Sequence, residues 1–556
     1  MQYINIFLSM TTCVKRKNII LLCDLTDNLT MPHTLGPYKV AKALRDKNYD
    51  VTVLHHLHIF SVKEIKEILT QLINEDTLFV GVNNSFYKSI DSLELKDFKI
   101  ILEEHRPAEM GSLLPHGHRY NQELKKVIKN ANPNCKLVLG GPEASDKENN
   151  KIFDYIVLGY ADISIVNLAD HLSNSGIKLE KQYKSIYGPV IINDSKAETY
   201  KFAETLMSYE EKDAILPGET MVTEIARGCI FKCAFCAYPL NGKKKLDFIK
   251  HKDLLVKEFK DNYEKYGTFR YLFSDDTVND SVEKCRMIYE ISQELPFKIE
   301  WWGYIRLDLM AAHPETIDLL FGSGLKATFF GIETFNQKTG SAIGKGGSRQ
   351  KLIETLKHIK STYGDSVTLN AGLIYGLPFE SKESLKTTSE FLLSDDNPLD
   401  TWTVQALRIR ERPEQSNGFI SDLDTNWSKY GYKKTNEGKD YAISGNLLNW
   451  QNEHTSYNEV LKMLDKLDSL SKKQNKTKVS GNYALLSMGM GMKESEIFNK
   501  KMNDVDWNQL DQLKIKRAEL YRKKFTTSTN IKNLNSLTAK FTTFTEYINS
   551  NDFKES

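Results

Sequence analysis

Three cysteines crowd eight residues of the stretch RGCIFKCAFCAY (227–238): Cys229, Cys233 and Cys236. Thiols so close either hold metal or exchange disulfides. Structural zinc takes four protein ligands, yet the nearest further cysteine is Cys285 and the stretch has no histidine. A redox pair made of Cys233 and Cys236 leaves Cys229 without a task. An iron–sulfur cluster employs all three thiolates and leaves one iron open to an outside ligand. Zinc and redox chemistry stay as alternatives, but only the cluster uses every cysteine.

The segments around the cysteines set their position. MVTEIAR (221–227) reads as a strand running straight into the cluster. Further strands are expected at 269–276, 298–308, 326–334, 366–378 and 401–410, separated by amphipathic helical patterns. Six strand–helix units of this kind predict a (β/α) barrel that stops short of the usual eight. Active sites of such barrels sit at the carboxyl ends of the strands, where the cysteine loop falls. Upstream, NIILLCDL (18–25), DVTVLHHL (50–57), TLFVGVNNS (77–85), KLVLGGPEAS (136–145) and DYIVLGYAD (154–162) alternate with helices. That pattern predicts a doubly wound, Rossmann-like parallel sheet that binds ligands beyond its strand ends. The expected organisation is therefore α/β: an N-terminal domain over 1–180, a linker over 181–215, a partial (β/α)6 barrel over 216–412 and a mainly helical C-terminal cap or substrate domain over 413–556.

At 556 residues, 40% apolar and 27% charged, the chain has the composition of an ordinary globular protein of several domains. Its 75 basic and 73 acidic residues leave a net charge of +2, which offers no footprint for nucleic acid. No apolar run reaches the roughly 18 residues that cross a bilayer. In MQYINIFLSMTTCVKRK the positive charge follows the apolar residues, the wrong order for a secretory signal. Seven cysteines, four of them scattered singly (Cys13, Cys23, Cys135, Cys285), are not a disulfide framework. A reducing, cytoplasmic setting is expected.

The spacing Cys229-x3-Cys233-x2-Cys236, with Phe235 before the last cysteine, resembles the signature of the radical S-adenosylmethionine (radical SAM) superfamily. The resemblance implies a [4Fe-4S] cluster whose open iron is chelated by SAM, and reductive cleavage of SAM to a 5′-deoxyadenosyl radical. FFGIETF places Glu333 in that family's G-x-E signature, and GLIYGLPFES, with Gly372, Gly376, Pro378 and Glu380, matches its fifth-strand pattern. YLFSDDTVN puts Ser274, Asp275 and Asp276 where the family holds the SAM methionine, although acidic residues replace the usual glycine pair. Arg306, ending the third strand, is suited to a carboxylate. Each residue has a plainer reading: Glu333 in an ion pair, Asp275 and Asp276 capping a helix, Arg306 pairing with Asp308, the glycines serving turns.

Residues 18–175 resemble the cobalamin-binding domain that precedes the barrel in one radical SAM class, with the pair Gly140-Gly141 after the fourth strand. Where that class has G-E-G-E, this chain has Gly159-Tyr160-Ala161-Asp162. A docking domain without cobalamin is the alternative. Cobalamin proteins with a lower histidine ligand use D-x-H-x-x-G, but here Met31 stands at the acid's position before His33 and Gly36, so His33 reads as a loop residue. His116 and His118 read as exposed loop histidines, and Met488, Met490 and Met492 as a core edge. NWQNEHTSYNEVLKML (449–464) resembles a segment that follows the barrel in the same class.

The class implies methylation of an unactivated centre in a small molecule or peptide, with an external flavodoxin- or ferredoxin-type electron donor. Cyclisation or rearrangement is the first alternative. A methylthiotransferase-like enzyme and a non-catalytic iron–sulfur sensor or scaffold are the others. No side chain is assigned as an acid or base.

Overall fold

A computed structural model describes residues 16–23, 32–60, 62–83, 118–141, 144, 146, 150–173, 177–193, 201–238, 240–243, 248–411, 420–435, 447–532 and 534. The readings of Cys13, Met31 and His116 fall outside the described residues.

The N-terminal sheet begins with β1 (Asn18–Leu22), β2 (Asp50–Leu54), β3 (Thr77–Asn83), β4 (Lys136–Gly140) and β5 (Tyr155–Leu158), parallel in the order β2-β1-β3-β4-β5. All five residues of β1 are buried, as a central strand covered on both faces requires. Helices Leu35–Arg45 and Ser164–Leu172 cover one face, and Val62–Leu72 and His118–Ala131 the other. Two more strands, β6 (Gln182–Lys184) and β7 (Val190–Asn193), lie in the stretch read as a linker. β7 joins β5 in parallel and β6 closes the edge antiparallel. The short run Val190-Ile191-Ile192 after Gly188-Pro189 is the signal, faint because it is only three residues long.

The barrel strands β8 (Met221–Thr223), β9 (Arg270–Phe273), β10 (Glu300–Ile305), β11 (Leu325–Glu333), β12 (Thr368–Tyr375) and β13 (Thr401–Ala406) are parallel and neighbour one another in chain order. Alternation sorts their side chains: Tyr271 and Phe273 pack against the outer helices, while Leu272 turns inward. Ser281, Ser348 and Ser381 each cap an outer helix by accepting from the backbone N–H three residues on.

Six strands leave the barrel open, and helix Gly481–Met490 fills it. It packs on β9 to β12 and is buried on nearly every side, which explains its lack of a polar face. Met488, Met490 and Met492 join Trp302 and Ala327 in this inner core. The C-terminal helix Trp507–Ser528 then turns back to the N-terminal domain, lodging Ala518, Tyr521 and Phe525 in that domain's core. The C-terminal segment thus packs on both domains and does not simply cap the barrel. No helix among the described residues is long and apolar enough to cross a membrane.

Candidate active site

The cysteine loop leaves β8 through Gly228, whose φ is +93°. A Cβ there would lie 2.6 Å from the Leu240 carbonyl oxygen, so only glycine lets the two arms of the loop meet. They are joined by Cys229 N–H to Leu240 O (3.1 Å), Lys243 N–H to Cys229 O (3.1 Å) and Gly242 N–H to Phe231 O (2.8 Å). Cys229 and Cys233 are buried and Cys236 partly so, and burial raises the thiols of Cys229 and Cys236 above their usual range.

Arg306 is the cation beside this loop. Its Nη1 lies 3.5 Å from Cys233 Sγ, its guanidinium stacks 3.9 Å from the Phe231 ring centroid, and Nη2 donates to the Gly344 carbonyl at 3.0 Å. It also grips Asp308 through two nitrogens, at 3.0 and 2.5 Å. The pairing with Asp308 is real, and it aims Arg306 at the Cys233 sulfur. Phe235 is half-buried against the barrel core.

Glu333 ends β11 with φ +63°, a left-handed conformation unusual for a glutamate, at a register break between Gly331 and Glu333. Its carboxylate folds back over Gly331: a Cβ on that glycine would meet Glu333 Oε1 at 2.8 Å. This explains the G-x-E spacing in steric terms. Burial raises the Glu333 carboxyl, against the pull of Lys345 at 3.6 Å. Gly372 makes room for the Phe329 ring, which a Cβ would meet at 2.7 Å. Glu380 accepts from the Gly376 and Leu377 N–H groups (3.1 Å each) and from Thr334 Oγ1 (2.6 Å), fixing the fifth-strand turn.

A cavity of about 840 Å³ opens between the two sheets, at the carboxyl ends of both. Gly140, Gly141 and Gly159 line it from the N-terminal domain, and Ser274, Asp275 and Asp276 from the barrel. Asp275 is occupied structurally, accepting from the Ile225 and Ala226 N–H groups (2.9 and 2.6 Å) and facing Lys284 at 3.3 Å. It thereby fixes the strand end that carries the cysteines. Ser274 donates to Thr223 O at 3.0 Å. Asp276 differs, for its buried Oδ2 has no hydrogen-bond partner. Burial, then the neighbouring Asp275 and Glu224, push its carboxyl up to about 6.

Sequence reasoning missed the ion network across the cavity. Arg227, two residues before Cys229, pairs with Asp162 (2.7 Å) and Glu224 (2.9 Å) and lies 4.9 Å from the rings of Tyr160 and Phe202. Lys39 joins from the N-terminal domain through Glu224. Burial raises the Glu224 carboxyl, but Lys39 and Arg227 outweigh it and hold it down to about 2. The available signal was Asp162 itself, standing in the G-Y-A-D departure from the family pattern. Pro32 and Thr34 line the cavity, whereas His33 does not and instead binds Glu219.

Residues 223–392 match the sequence model of the radical SAM superfamily. An uncharacterized methyltransferase of Pyrococcus horikoshii is 24% identical over 369 residues, 61% of this chain and 76% of that protein. The anaerobic magnesium-protoporphyrin IX monomethyl ester cyclase of Cereibacter sphaeroides is 23% identical over 314 residues, 51% of this chain and 48% of the cyclase. Among solved structures, the radical SAM methyltransferase TsrM of Kitasatospora setae, with cobalamin and a [4Fe-4S] cluster bound, superposes with a TM-score of 0.59 at 12% identity, covering 92% of this chain and all of TsrM. The cobalamin-dependent radical enzyme OxsB gives 0.51 at 14% identity, covering 84% of this chain and 62% of OxsB. At such identities these likenesses establish a shared fold.

Proposed function

We propose that this chain, an enzyme belonging to the radical SAM superfamily through residues 223–392, is a cobalamin-dependent methyltransferase acting on a small molecule or peptide. The carrying observation is the cavity that places the Gly140–Gly141 pair of one domain opposite the barrel mouth of the other. A Cβ on Gly140 would have nothing within 4 Å, so this glycine keeps the space clear for a ligand and is not filled by the fold. TsrM, which is similar over its whole length, has cobalamin and a [4Fe-4S] cluster bound.

In this reading Cys229, Cys233 and Cys236 hold the cluster, residues around Gly140 and Gly141 hold the corrinoid, and Asp276 and Glu333 face SAM. When bound, the cluster and SAM supply a 5′-deoxyadenosyl radical, and cobalamin supplies the methyl group. The protein's residues do the rest. Arg306 sets a positive charge 3.5 Å from the Cys233 sulfur. Asp276 offers its open oxygen to the SAM ammonium group, and a cation there draws its carboxyl back down from about 6. Leu272, Tyr304 and Leu486 present apolar surface on the barrel side and limit water near reactive species. The cyclase relative supports a second reading, ring closure without methyl transfer.

The test is anaerobic reconstitution with iron, sulfide and hydroxocobalamin, then joint quantification of the metals. About four irons and one cobalt per chain are expected. Gly140→Phe, which fills the open space, should lose the cobalt and keep the iron. Alanine at any of the three cysteines should abolish 5′-deoxyadenosine formation from SAM. Four irons with no cobalt in the unsubstituted chain would remove cobalamin from the proposal.

A further inference from the structure

His33, His55 and His56 converge in the loops that follow β1 and β2. One ring nitrogen from each lies within 4.8 Å of one from each of the others, and all three residues are at most 4% exposed. Their ring centroids are 4.2, 4.8 and 5.1 Å apart. Three imidazoles on one tetrahedral ion, with metal–nitrogen distances of 2.0–2.1 Å, would hold their centroids roughly 5 Å apart.

The surroundings are those of ligating histidines. A carboxylate can only accept, so His33 Nδ1–H donates to Glu219 Oε1, at 2.5 Å. Its Nε2 is buried without a hydrogen-bond partner, an unmet polar atom that an ion at the site would satisfy. Carboxylate-to-imidazole support of this kind orients a metal ligand and raises its basicity. The Tyr38 hydroxyl meets His55 Nδ1 at 3.1 Å and Thr34 Oγ1 meets its Nε2 at 3.4 Å, a contact that an ion at Nε2 would displace. His56 stacks on His55 with rings 5° from parallel, so one ring turns when both bind the same ion, and it holds a left-handed backbone conformation (φ +53°). A histidine held there is a strained residue kept in place by its surroundings.

We infer that His33, His55 and His56 form a binding site for one divalent transition-metal ion of the zinc class, with Glu219 as the carboxylate that orients His33. Imidazole suits zinc, and three nitrogens leave one tetrahedral position for water. The ion ties three parts of the chain together. The histidines follow β1 and β2, Glu219 enters the barrel while its other oxygen accepts from Leu216 N–H (2.9 Å), and the Tyr521 hydroxyl of the C-terminal helix accepts from His55 N–H (3.1 Å). None of the histidines lines the cavity, but Thr34 does, and its Oγ1 lies 3.4 Å from His55 Nε2, so the site borders that space from behind the loop.

The experiment is a Zn²⁺ titration of the full chain against a chromophoric chelator, in the unsubstituted protein and in a Cys229→Ala/Cys233→Ala/Cys236→Ala variant that removes the other thiolate site. One zinc per chain should be held in the cysteine variant and should raise its thermal midpoint. Added to the cysteine variant, Glu219→Gln should weaken it roughly 10–100-fold, and His55→Gln should abolish it. Zinc held no better by the cysteine variant than by the same variant carrying His55→Gln overturns the site. Should His55→Gln not fold, a cysteine variant whose thermal midpoint ignores Zn²⁺ overturns it equally. Should the cysteine variant not fold, zinc retained beside the irons of the reconstituted protein supports the site, and iron alone overturns it.

Discussion

Replacing Arg227 with methionine isolates the coupling between the domains. The guanidinium and its partner Asp162 have side chains each 6% exposed, separated by 2.7 Å. Methionine keeps much of the packing on Phe202 and Tyr160 but strands Asp162, for which Arg227 is the sole cation within salt-bridge distance among the described residues. Glu224 keeps Lys39. Breaking one side of a buried pair costs about 3–5 kcal/mol, most of it the penalty of the uncompensated charge. At about 1.4 kcal/mol per decade, opening of the interface should become roughly 100- to 3,000-fold more frequent. Hydrogen exchange followed by mass spectrometry reads this directly in peptides covering 154–172 and 221–228. Asp162→Asn added to Arg227→Met should recover most of the loss, since it removes the stranded charge. The reasoning fails if Arg227→Met peptides exchange within about threefold of the unsubstituted protein, or if the double variant exchanges as fast as the single one.

Gly376→Ala would bring a Cβ within 2.3 Å of the Trp450 ring at a φ of +86°. Overpacking and the left-handed penalty together predict a loss of about 2–5 kcal/mol, to be read from tryptophan fluorescence during denaturation. Asp276 has a carboxyl raised by burial from 3.8 to about 6. Through this group the folded chain binds more protons than the unfolded one between those values, and its contribution to stability falls as pH rises through that window, by at most about 3 kcal/mol. Glu380, raised by burial to about 7, adds a fall in the same direction, so in urea denaturation of the cofactor-free chain Asp276→Asn should lessen the slope and not abolish it. An unchanged slope in the variant would assign the pH dependence to another group.

The first five strands of the N-terminal sheet were legible because a strand buried on both faces reads as a continuous apolar run, and the six barrel strands because they alternate with helical patterns. The cysteine loop was legible for a different reason, since three thiols in eight residues have few alternative uses. Other features depend on contacts between distant segments. The β6–β7 edge rests on three β-branched residues. Helix Gly481–Met490 has no amphipathic period because it is buried on nearly every side, so its methionines point to a core but not to which one. The histidine cluster joins positions 33, 55, 56 and 219, a set that no local pattern contains.

The motif residues also divide by what they touch. Gly372, Gly376 and Glu380 serve Phe329, Trp450 and the backbone of their own turn, and Asp275 serves the strand end before the cysteines. Asp276 and the Gly140–Gly141 pair combine a motif position with open space. Asp162 departs from the family pattern yet is tied through Arg227 to the chain two residues ahead of Cys229. A ligand that moves the Gly159–Asp162 segment therefore acts on the strand that carries the first cysteine, through one ion pair buried between the domains. The proposed methyl transfer needs the two cofactor sites held in fixed relation, because a misplacement of about 1 Å can cost 100-fold in rate. Arg227 is where this chain sets that relation.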